Sequence, residues 1–292
     1  MLVTSCFGAG ILLNVAQYYW IADWQLIMPV CHALPCLLAV IATWQLIEDT
    51  PICLVMRYSP EKACQSFNRI ASLNNSPSQD RLTSSDIITV RKQHQQSLAM
   101  SPLTQLHTFS VLDLLRYRSL RTITIVTVLL MLSNTINYFA PPLMLGELGF
   151  GLFGGGVVLG VACLLHYPLC FLLIPRCPRS TMTQVFFATA ALSAVGLFKV
   201  WTPTNPPPHA LLLLFLFYFA VACLSTLQTI YHSELFPGLV RVMGTTLANF
   251  IKGIMVVFLP NIMASWEEVG FNRMMLFGAA SFFGFAISHL LL

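Results

Sequence analysis

Charged residues are scarce in this 292-residue chain, and their scarcity excludes an ordinary soluble globular protein. Asp, Glu, Lys and Arg make up 9% of the residues, whereas hydrophobic residues make up 57% and the mean hydropathy is +0.75. Soluble domains carry roughly 25% charged residues, because their surfaces have to be hydrated. The composition therefore predicts an integral membrane protein whose main surroundings are the lipid bilayer.

Sequence signals for metal or nucleophilic chemistry are also missing. The nine cysteines include no C-x-x-C pair, and the chain has neither the H-E-x-x-H spacing of a zinc protease nor a G-x-S-x-G nucleophile motif. Without these patterns there is no indication of a metal site, a disulfide framework or an activated serine. We therefore predict a non-enzymatic protein without a cofactor.

The basic residues do not have the pattern of a nucleic-acid-binding protein. Lys and Arg number 15 against 11 Asp and Glu, and nine of the 15 lie between Arg57 and Arg121. Aromatic residues are not interleaved with them as they are in a groove that binds single strands. Such a cluster is typical of a cytoplasmic loop, since cytoplasmic loops of membrane proteins are enriched in Lys and Arg. The sequence thus predicts no nucleic-acid partner.

Eight apolar segments have the length of a transmembrane helix, which needs about 20 residues at 1.5 Å per residue. They are residues 1–21, 26–47, 120–139, 150–174, 182–200, 211–229, 243–264 and 273–292. Short joints force neighbouring spans to run antiparallel, and the basic segment 48–118 fixes the orientation. We expect an all-α polytopic protein, in the plasma membrane, with both termini in the cytoplasm.

Residues 48–118 differ from the rest of the chain because they are polar and rich in Ser, Asn and Gln. A helix is predicted over residues 61–73, with Ser59 as N-cap and Pro60 in the first turn. Residues 73–102 are predicted to be flexible, with transient helix over 87–100. We therefore expect a cytoplasmic linker here, not a folded domain.

Three motifs of this chain resemble those of a known family. Residues 233–244 read SELFPGLVRVMG, residues 113–121 read DLLRYRSLR, and residues 48–54 read EDTPICL. They are similar, in order and spacing, to the E-L-[YF]-P-T-x-x-R-x-x-G, D-L-[LF]-R-x-x-x-[LI]-R and P-E-S-P-R-W-L motifs of the organic ion transporters. That family is solute carrier family 22 of the major facilitator superfamily.

The resemblance implies a fold of twelve spans in two six-helix halves, with the substrate bound between them. By this reading the chain has a partial major facilitator superfamily fold. Residues 1–47 would be the last two helices of the N-terminal bundle, 48–118 the cytoplasmic linker, and 119–292 the C-terminal six-helix bundle. The first four spans of such a transporter would be missing.

Polar residues inside apolar spans are the candidate substrate contacts, because a polar group is costly in lipid. Thr245, Asn249 and Lys252 share one face of the span 243–264. Lys252 either lines the substrate cavity or, alternatively, snorkels or pairs with a backbone carbonyl. The resemblance implies a charged substrate-sensing residue close to this position.

His166 precedes Tyr167 and Pro168, where the family commonly has a carboxylate before its proline. It either serves a proton or an anion, or it bonds to a neighbouring helix. Asn134 and Tyr138 lie one turn apart, at a level where the resemblance implies aromatic and amide contacts to flat substrates. A similar polar stripe elsewhere consists of Tyr218 and Ser225.

Glycines and charges at the span ends suggest packing and gating. The pairs Gly151/Gly155 and Gly156/Gly160 have the G-x-x-x-G spacing of close helix packing. The resemblance implies an inner gate that contains Glu234 and Arg241, unless these two form a solvated pair at the interface. Arg176 and Arg179 stand in the turn where the family carries its D-x-x-G-R-R gating motif.

Two functions follow from these observations. The first is secondary transport of organic ions by alternating access. Organic anions are favoured as substrates, because an unpaired buried lysine attracts a negative ligand. The second is a truncated, transport-inactive isoform or fragment that at most associates with another carrier.

Overall fold

The computed structural model describes residues 2–21, 23–46, 60–74, 82–100, 111–145, 151–200, 207–236 and 240–289. Within these ranges the chain is helical and has no β-strand, which confirms the all-α class. The motif at 48–54 lies outside the described residues, as do positions 237–239 of the motif at 233–244.

The chain forms two compact units. The first, called here the bundle unit, combines Met1–Asp23 with Phe109–Leu292. The second, called here the linker unit, is Trp24–Thr108. The two units thus change over after Asp23 and after Thr108, whereas the predicted domain boundaries follow residues 47 and 118. Those domain boundaries stay a prediction.

The linker unit begins with a continuous helical stretch of three parts. Helix α2 (Trp24–Ile27) runs into a π-helical segment, Met28–Ala33, and then into α3 (Leu34–Leu46). Pro29 lies in the first turn of the π-helical segment. A proline cannot donate a backbone hydrogen bond, so it favours a local departure from α-helical pairing.

The rest of the linker unit contains two packed helices, α4 (Pro60–Leu73) and α5 (Ser84–Met100). They meet at Ala63 and Ile87, which are buried together with part of Phe67. Asn68 Nδ2 donates to the Leu82 carbonyl at 3.0 Å, and the Leu82 N–H donates to Asn68 Oδ1 at 3.0 Å. The predicted helix over 61–73 is confirmed, and the stretch predicted to form transient helix over 87–100 is helical as Ser84–Met100. The expectation of a cytoplasmic linker and not a folded domain stays a prediction.

Helix α5 begins where it does because of a side-chain cap. The Thr83 N–H and hydroxyl donate to the Asp86 carboxylate at 2.8 and 2.5 Å. These hydrogen bonds stabilise the charged form, so they hold the pKa of Asp86 below its usual 3.8. The cap satisfies donors at the helix start that have no intrahelical partner.

The bundle unit consists of eight helices, counted over the described residues. They are α1 (Leu2–Trp20), α6 (Asp113–Arg116), α7 (Arg118–Leu143), α8 (Gly151–Leu173), α9 (Arg179–Val200), α10 (Pro208–Leu235), α11 (Arg241–Glu268) and α12 (Arg273–Ser288). Pro208 suits the first turn of α10, and Asn272 caps α12 by accepting the Met274 N–H at 2.8 Å.

Helices α7 to α11 are each long and apolar enough to cross a membrane, whereas α12 is a shorter apolar helix. These five coincide with five of the predicted spans, and the count of eight stays a prediction. Helix α10 is the central element, because it packs against α7, α8 and α9 and has a nearly continuous buried run from Ala220 to Leu224.

Helix α1 packs closely along α8. A Cβ added at Gly156 would lie 2.6 Å from Val15 Cγ2, and one at Gly160 would lie 2.6 Å from Leu12 Cδ2. Such distances leave no room for a side chain, so the predicted close packing at Gly156 and Gly160 is confirmed. Gly151 instead starts α8 with a φ of 71° and faces open space.

Candidate functional site

Two stacked tyrosines join α7 and α10 in the middle of the bundle. The rings of Tyr138 and Tyr218 are 5.5 Å apart and nearly parallel, at 23°. The Tyr218 hydroxyl donates to the Tyr138 carbonyl at 3.2 Å, and the Tyr138 hydroxyl lies 3.9 Å from Cys163 Sγ on α8. The structure therefore brings two predicted site residues together, with Cys163 as a third contributor.

His166 links α8 to α10. Its Nε2 lies 3.1 Å from the Thr226 hydroxyl, and its Nδ1 lies 2.5 Å from the Cys163 carbonyl of its own helix. The side chain is buried, and both ring nitrogens have protein partners. These contacts match the alternative in which His166 bonds to a neighbouring helix, and they leave its proton or anion role a prediction.

Asn134 is buried on α7 four residues before Tyr138, and its Oδ1 has no hydrogen-bond partner within the described ranges. Neighbouring polar side chains of α7 do have hydrogen-bond partners. Asn137 Nδ2 donates to the Ser281 hydroxyl at 2.9 Å, and the Ser133 hydroxyl donates to the Ala280 carbonyl of α12. Asn134 is therefore a buried amide whose oxygen is unsatisfied among the described residues, and its contact to a substrate stays a prediction.

Lys252 turns towards the bundle. Its ammonium lies 5.6 Å from the centre of the Phe139 ring on α7, and that ring lies 5.2 Å from the ring of Tyr138. A cation over an aromatic face is stabilised by the ring quadrupole. Within the described residues Lys252 has no carboxylate within 4.0 Å, so the positive charge has no paired acid.

The other two members of the predicted α11 face behave differently. The Thr245 hydroxyl donates to the Arg241 carbonyl of its own helix at 2.8 Å, and Asn249 is exposed. Ser225 on α10 is half-buried, with no described side-chain partner. Tyr138 and Tyr218 are thus in direct contact, Lys252 reaches the neighbouring Phe139, and His166 lies beyond Cys163.

The predicted gating residues meet at the turn between α8 and α9. Arg179 donates to Glu234 Oε1 at 3.1 Å and to the Ile174 carbonyl at 2.6 Å. Glu234 therefore pairs with Arg179, and the expected partner Arg241 instead donates to the Phe236 carbonyl at 3.4 Å. Arg176 is exposed at the same turn. A gating role for these four residues stays a prediction.

Sequence reasoning missed several polar residues of the bundle. Gln228 is buried and donates to the Leu130 carbonyl at 3.0 Å, while Thr226 holds His166. His232 is 1% exposed, and neither of its ring nitrogens has a partner in the part of the chain that the structure describes. The signal that points to them is a polar residue at every second to fourth position of an otherwise apolar helix.

The chemistry of this arrangement is non-covalent recognition. Aromatic rings, an amide oxygen and one ammonium group offer stacking, hydrogen bonding and charge. The described residues include no group of three His, Cys, Asp or Glu side chains that could hold a metal ion.

Comparison with known proteins agrees with this chemistry. A profile of the family described as "Sugar (and other) transporter" matches residues 1–290. Organic cation/carnitine transporter 2 of Homo sapiens is 26% identical over 234 residues, which are 79% of this chain and 39% of the human protein. Solute carrier family 22 member 6 of Danio rerio is 21% identical over 282 residues, 94% of this chain and 47% of the fish protein. The chain spans less than half the length of these curated relatives.

Proposed function

The chain belongs to the sugar (and other) transporter family of the major facilitator superfamily, and from this membership we propose that it carries organic ions across the membrane as a secondary transporter. Its relatives are membrane transporters of organic solutes and not enzymes. The finer parts of the proposal are the charge of the substrate, the residues that contact it and the alternating-access mechanism.

The substrate site proposed here lies between α7, α10 and α11. Tyr138 provides a half-buried aromatic ring that stacks on the buried Tyr218, Asn134 provides an amide oxygen without a partner among the described residues, and Lys252 provides a positive charge. A substrate with an aromatic ring, an acidic group and a hydrogen-bond donor would use all of these contacts, because the Asn134 amide oxygen only accepts. His166, Ser225 and Asn249 are proposed as outer contacts of the same site.

The observation that carries the preference for organic anions is the Lys252 ammonium, which lies over the Phe139 ring and has no carboxylate within 4.0 Å in the described part of the chain. Lys252 is half-buried, and a lysine that enters an apolar medium without an acidic partner carries a free-energy cost that a negative ligand offsets. An organic cation bound at the same place would be repelled. We therefore propose organic anions as the substrate class.

Uptake by proteoliposomes tests the proposal. An aromatic carboxylate and a quaternary ammonium ion of similar size are compared as probes. Lys252→Gln should lower carboxylate uptake about tenfold or more, because it removes a charge-assisted contact. Lys199→Gln is the matched control, since Lys199 is exposed at the end of α9. Uptake of the ammonium ion alone would overturn the anion preference, and no uptake of either probe would overturn transport by this chain.

Association with another carrier is the second candidate function. One observation favours it: α11 is the least buried of the five long apolar helices and exposes Val242, Phe250 and Val257. A second membrane protein that packs on this face would complete the enclosure of the site. Cross-linking from a cysteine at Val257 to a co-expressed full-length family member would support this candidate.

A further inference from the structure

The motif at 113–121, DLLRYRSLR, has no role in the proposed transport. It forms α6 and the first turn of α7, and the two helices are separated by Tyr117, whose backbone is extended with a ψ of 125°. Arg116, Arg118 and Arg121 place three positive charges within six residues, against the single acidic residue Asp113. The segment therefore gives one end of the bundle unit a surplus of positive charge.

A buried leucine fixes α6 to the bundle unit. Leu114 is completely buried and packs with Phe236, which follows α10, and with Val240, which precedes α11. Arg241 Nε donates to the Phe236 carbonyl at 3.4 Å, so a fourth guanidinium group lies beside the same cluster. The α6 corner, as this region is called here, consists of residues 114–121 with Phe236, Val240 and Arg241. Its position is set by packing, because a completely buried leucine side chain contributes substantially to stability.

The residues that follow Leu114 face outwards, and apolar and cationic side chains alternate among them. Leu115 and Tyr117 are 46% and 47% exposed, and Arg116 and Arg118 are exposed as well. Tyrosine is enriched where membrane and water meet, because its ring is apolar and its hydroxyl is polar. On a surface at this level, apolar side chains enter the boundary of the acyl chains, while cationic groups stay beside the lipid phosphates.

The α6 corner lies at the depth of the lipid headgroups. Arg118 is the first residue of α7, and α7 is long and apolar enough to cross a membrane. A helix of this kind enters the hydrocarbon core within its first turns, so its first residue lies close to the membrane surface. Arginines placed directly beside a spanning helix attract anionic lipids.

The three arginines of the motif have no protein counter-ion. Among the described side chains, Arg116, Arg118 and Arg121 have no carboxylate within 4.0 Å, whereas Arg179 is paired with Glu234 at 3.1 Å. A guanidinium group carries five N–H donors in a planar fork, and two of them can bond at once to the oxygens of one phosphate or carboxylate. Charge and geometry therefore both favour a ligand that carries a phosphate.

We propose that the α6 corner is a docking surface for an anionic phospholipid of the surrounding membrane. Arg116, Arg118 and Arg121 bind the phosphate and the acidic headgroup, and Leu115 and Tyr117 contact the acyl chains. The bound lipid joins α6 to the start of α7 and, through Leu114, to the adjoining ends of α10 and α11. Docking of this lipid does not depend on the proposed transport, because it uses none of the residues of the proposed substrate site.

Native mass spectrometry of the full chain in detergent micelles, titrated with phosphatidylserine or with zwitterionic phosphatidylcholine, tests this proposal. Phosphatidylserine should bind about tenfold more tightly, which corresponds to one charge-assisted contact. Arg118→Gln combined with Arg121→Gln should remove this preference. Arg176→Gln combined with Lys199→Gln removes the same charge at two other exposed positions and should change the affinity less than twofold. Arg176 has no second unpaired arginine beside it, because Arg179 is already bonded to Glu234.

A second comparison separates a lipid surface from a site for soluble anions. Leu115→Ser should weaken phosphatidylserine binding about fivefold, because it removes a partly exposed apolar contact to the acyl chains. The same variant should not affect glycerophosphoserine, which has the headgroup without acyl chains and should itself bind more weakly than the lipid. If glycerophosphoserine binds as tightly as phosphatidylserine, the lipid surface is overturned in favour of a soluble anion site.

Equal binding of phosphatidylserine and phosphatidylcholine by the unmodified chain, or equal losses in the two double variants, overturns the docking surface. Thermal unfolding in nanodiscs gives an independent readout, since a ligand of the folded state raises the melting temperature. Phosphatidylserine should raise it for the unmodified chain and for the Arg176/Lys199 variant, but not for the Arg118/Arg121 variant. Should that last variant not fold, Arg116→Gln at the end of α6 replaces it and should weaken phosphatidylserine binding about fivefold.

Discussion

At the scale of single residues, the hydrogen bond and the ring stack of Tyr218 should contribute different amounts to the stability of the bundle unit. Tyr218 is completely buried, stacks on Tyr138 and donates one hydrogen bond to a carbonyl of α7. The hydroxyl and the ring can be separated by substitution, because phenylalanine keeps the stack and removes only the hydrogen bond.

Tyr218→Phe should lower the free energy of unfolding by about 1 kcal/mol, since a typical intramolecular hydrogen bond contributes about that amount. Tyr218→Ala should cost about 3 kcal/mol or more, because it also leaves a cavity. Denaturant unfolding in micelles measures both. Tyr19→Phe is the control, as Tyr19 is 70% exposed. Equal losses for Tyr218→Phe and Tyr218→Ala would mean that the ring stack contributes nothing.

The cap of α5 predicts a pH dependence. The folded-state pKa of Asp86 is lowered by the Thr83 hydrogen bonds, so the cap stabilises α5 above the unfolded value of about 3.8. That contribution is lost as the pH falls through the lowered folded value. Amide exchange of residues 84–88 should therefore accelerate below pH 4, beyond the change of intrinsic rate. Asp86→Asn should remove this pH dependence, and its persistence in the variant would exclude the cap as its cause.

The candidate site was predictable from sequence only as a set of residue types. Tyr138, Tyr218 and Lys252 stand out because polar residues are rare in these spans, and the structure brings them to one region. Their partners are not encoded locally. Glu234 pairs with Arg179, 55 positions away, and no pattern within one helix distinguishes Arg179 from Arg241 as its partner.

At the scale of helices, α1 and α8 are joined by small residues. A Cβ at Gly8 would lie 2.7 Å from the Leu164 nitrogen and 2.8 Å from the Cys163 carbonyl carbon, both of which are backbone atoms. Backbone cannot move aside as the end of a side chain can, so the two helices would have to separate.

Gly8→Ala should therefore destabilise the bundle unit by about 1–3 kcal/mol, the range found for overpacked cores. Gly10→Ala is the matched control two residues away, where nothing lies within 4 Å of the added Cβ. This control should be neutral or stabilising by up to about 1 kcal/mol, because alanine is the better helix former. Thermal unfolding of both variants measures the difference, and equal melting temperatures would contradict the close approach of α1 to α8.

The sequence predicts the position of the helices better than their ends. The span expected at 211–229 is observed as Pro208–Leu235, because hydropathy declines towards the polar end although the backbone remains helical. For the linker helices α4 and α5, the sequence did not predict that they pack against each other. The core of α4 and α5 consists of two small contacts, at Ala63 and Ile87, which a composition rich in Ser and Gln conceals.

At the scale of the whole molecule, the orientation in the membrane is the central expectation. The basic segment between Arg57 and Arg121 is predicted to face the cytoplasm, and the turn with Glu267 and Glu268 to face outwards. A single cysteine can be placed at Ser85 or at Glu268 in a chain whose other cysteines have been replaced. The two positions are predicted to lie on opposite sides of the membrane. An impermeant maleimide added to intact cells should label only the cysteine at Glu268, and labelling of Ser85 alone would invert the topology.

The ion pair between Arg179 and Glu234 lies apart from the neutral hydrogen bonds of the bundle unit. Side-chain hydrogen bonds such as Asn137 with Ser281 and His166 with Thr226 join the described spans through neutral groups. Arg179 and Glu234 instead meet at helix ends, with 29% and 47% of their side chains exposed. Dissolved salt screens exposed charges over about 8–10 Å and hardly affects a buried neutral hydrogen bond. A high salt concentration should therefore weaken the Arg179–Glu234 ion pair, which joins α9 to α10 beside the end of α8. The buried neutral hydrogen bonds between the helices should be unaffected.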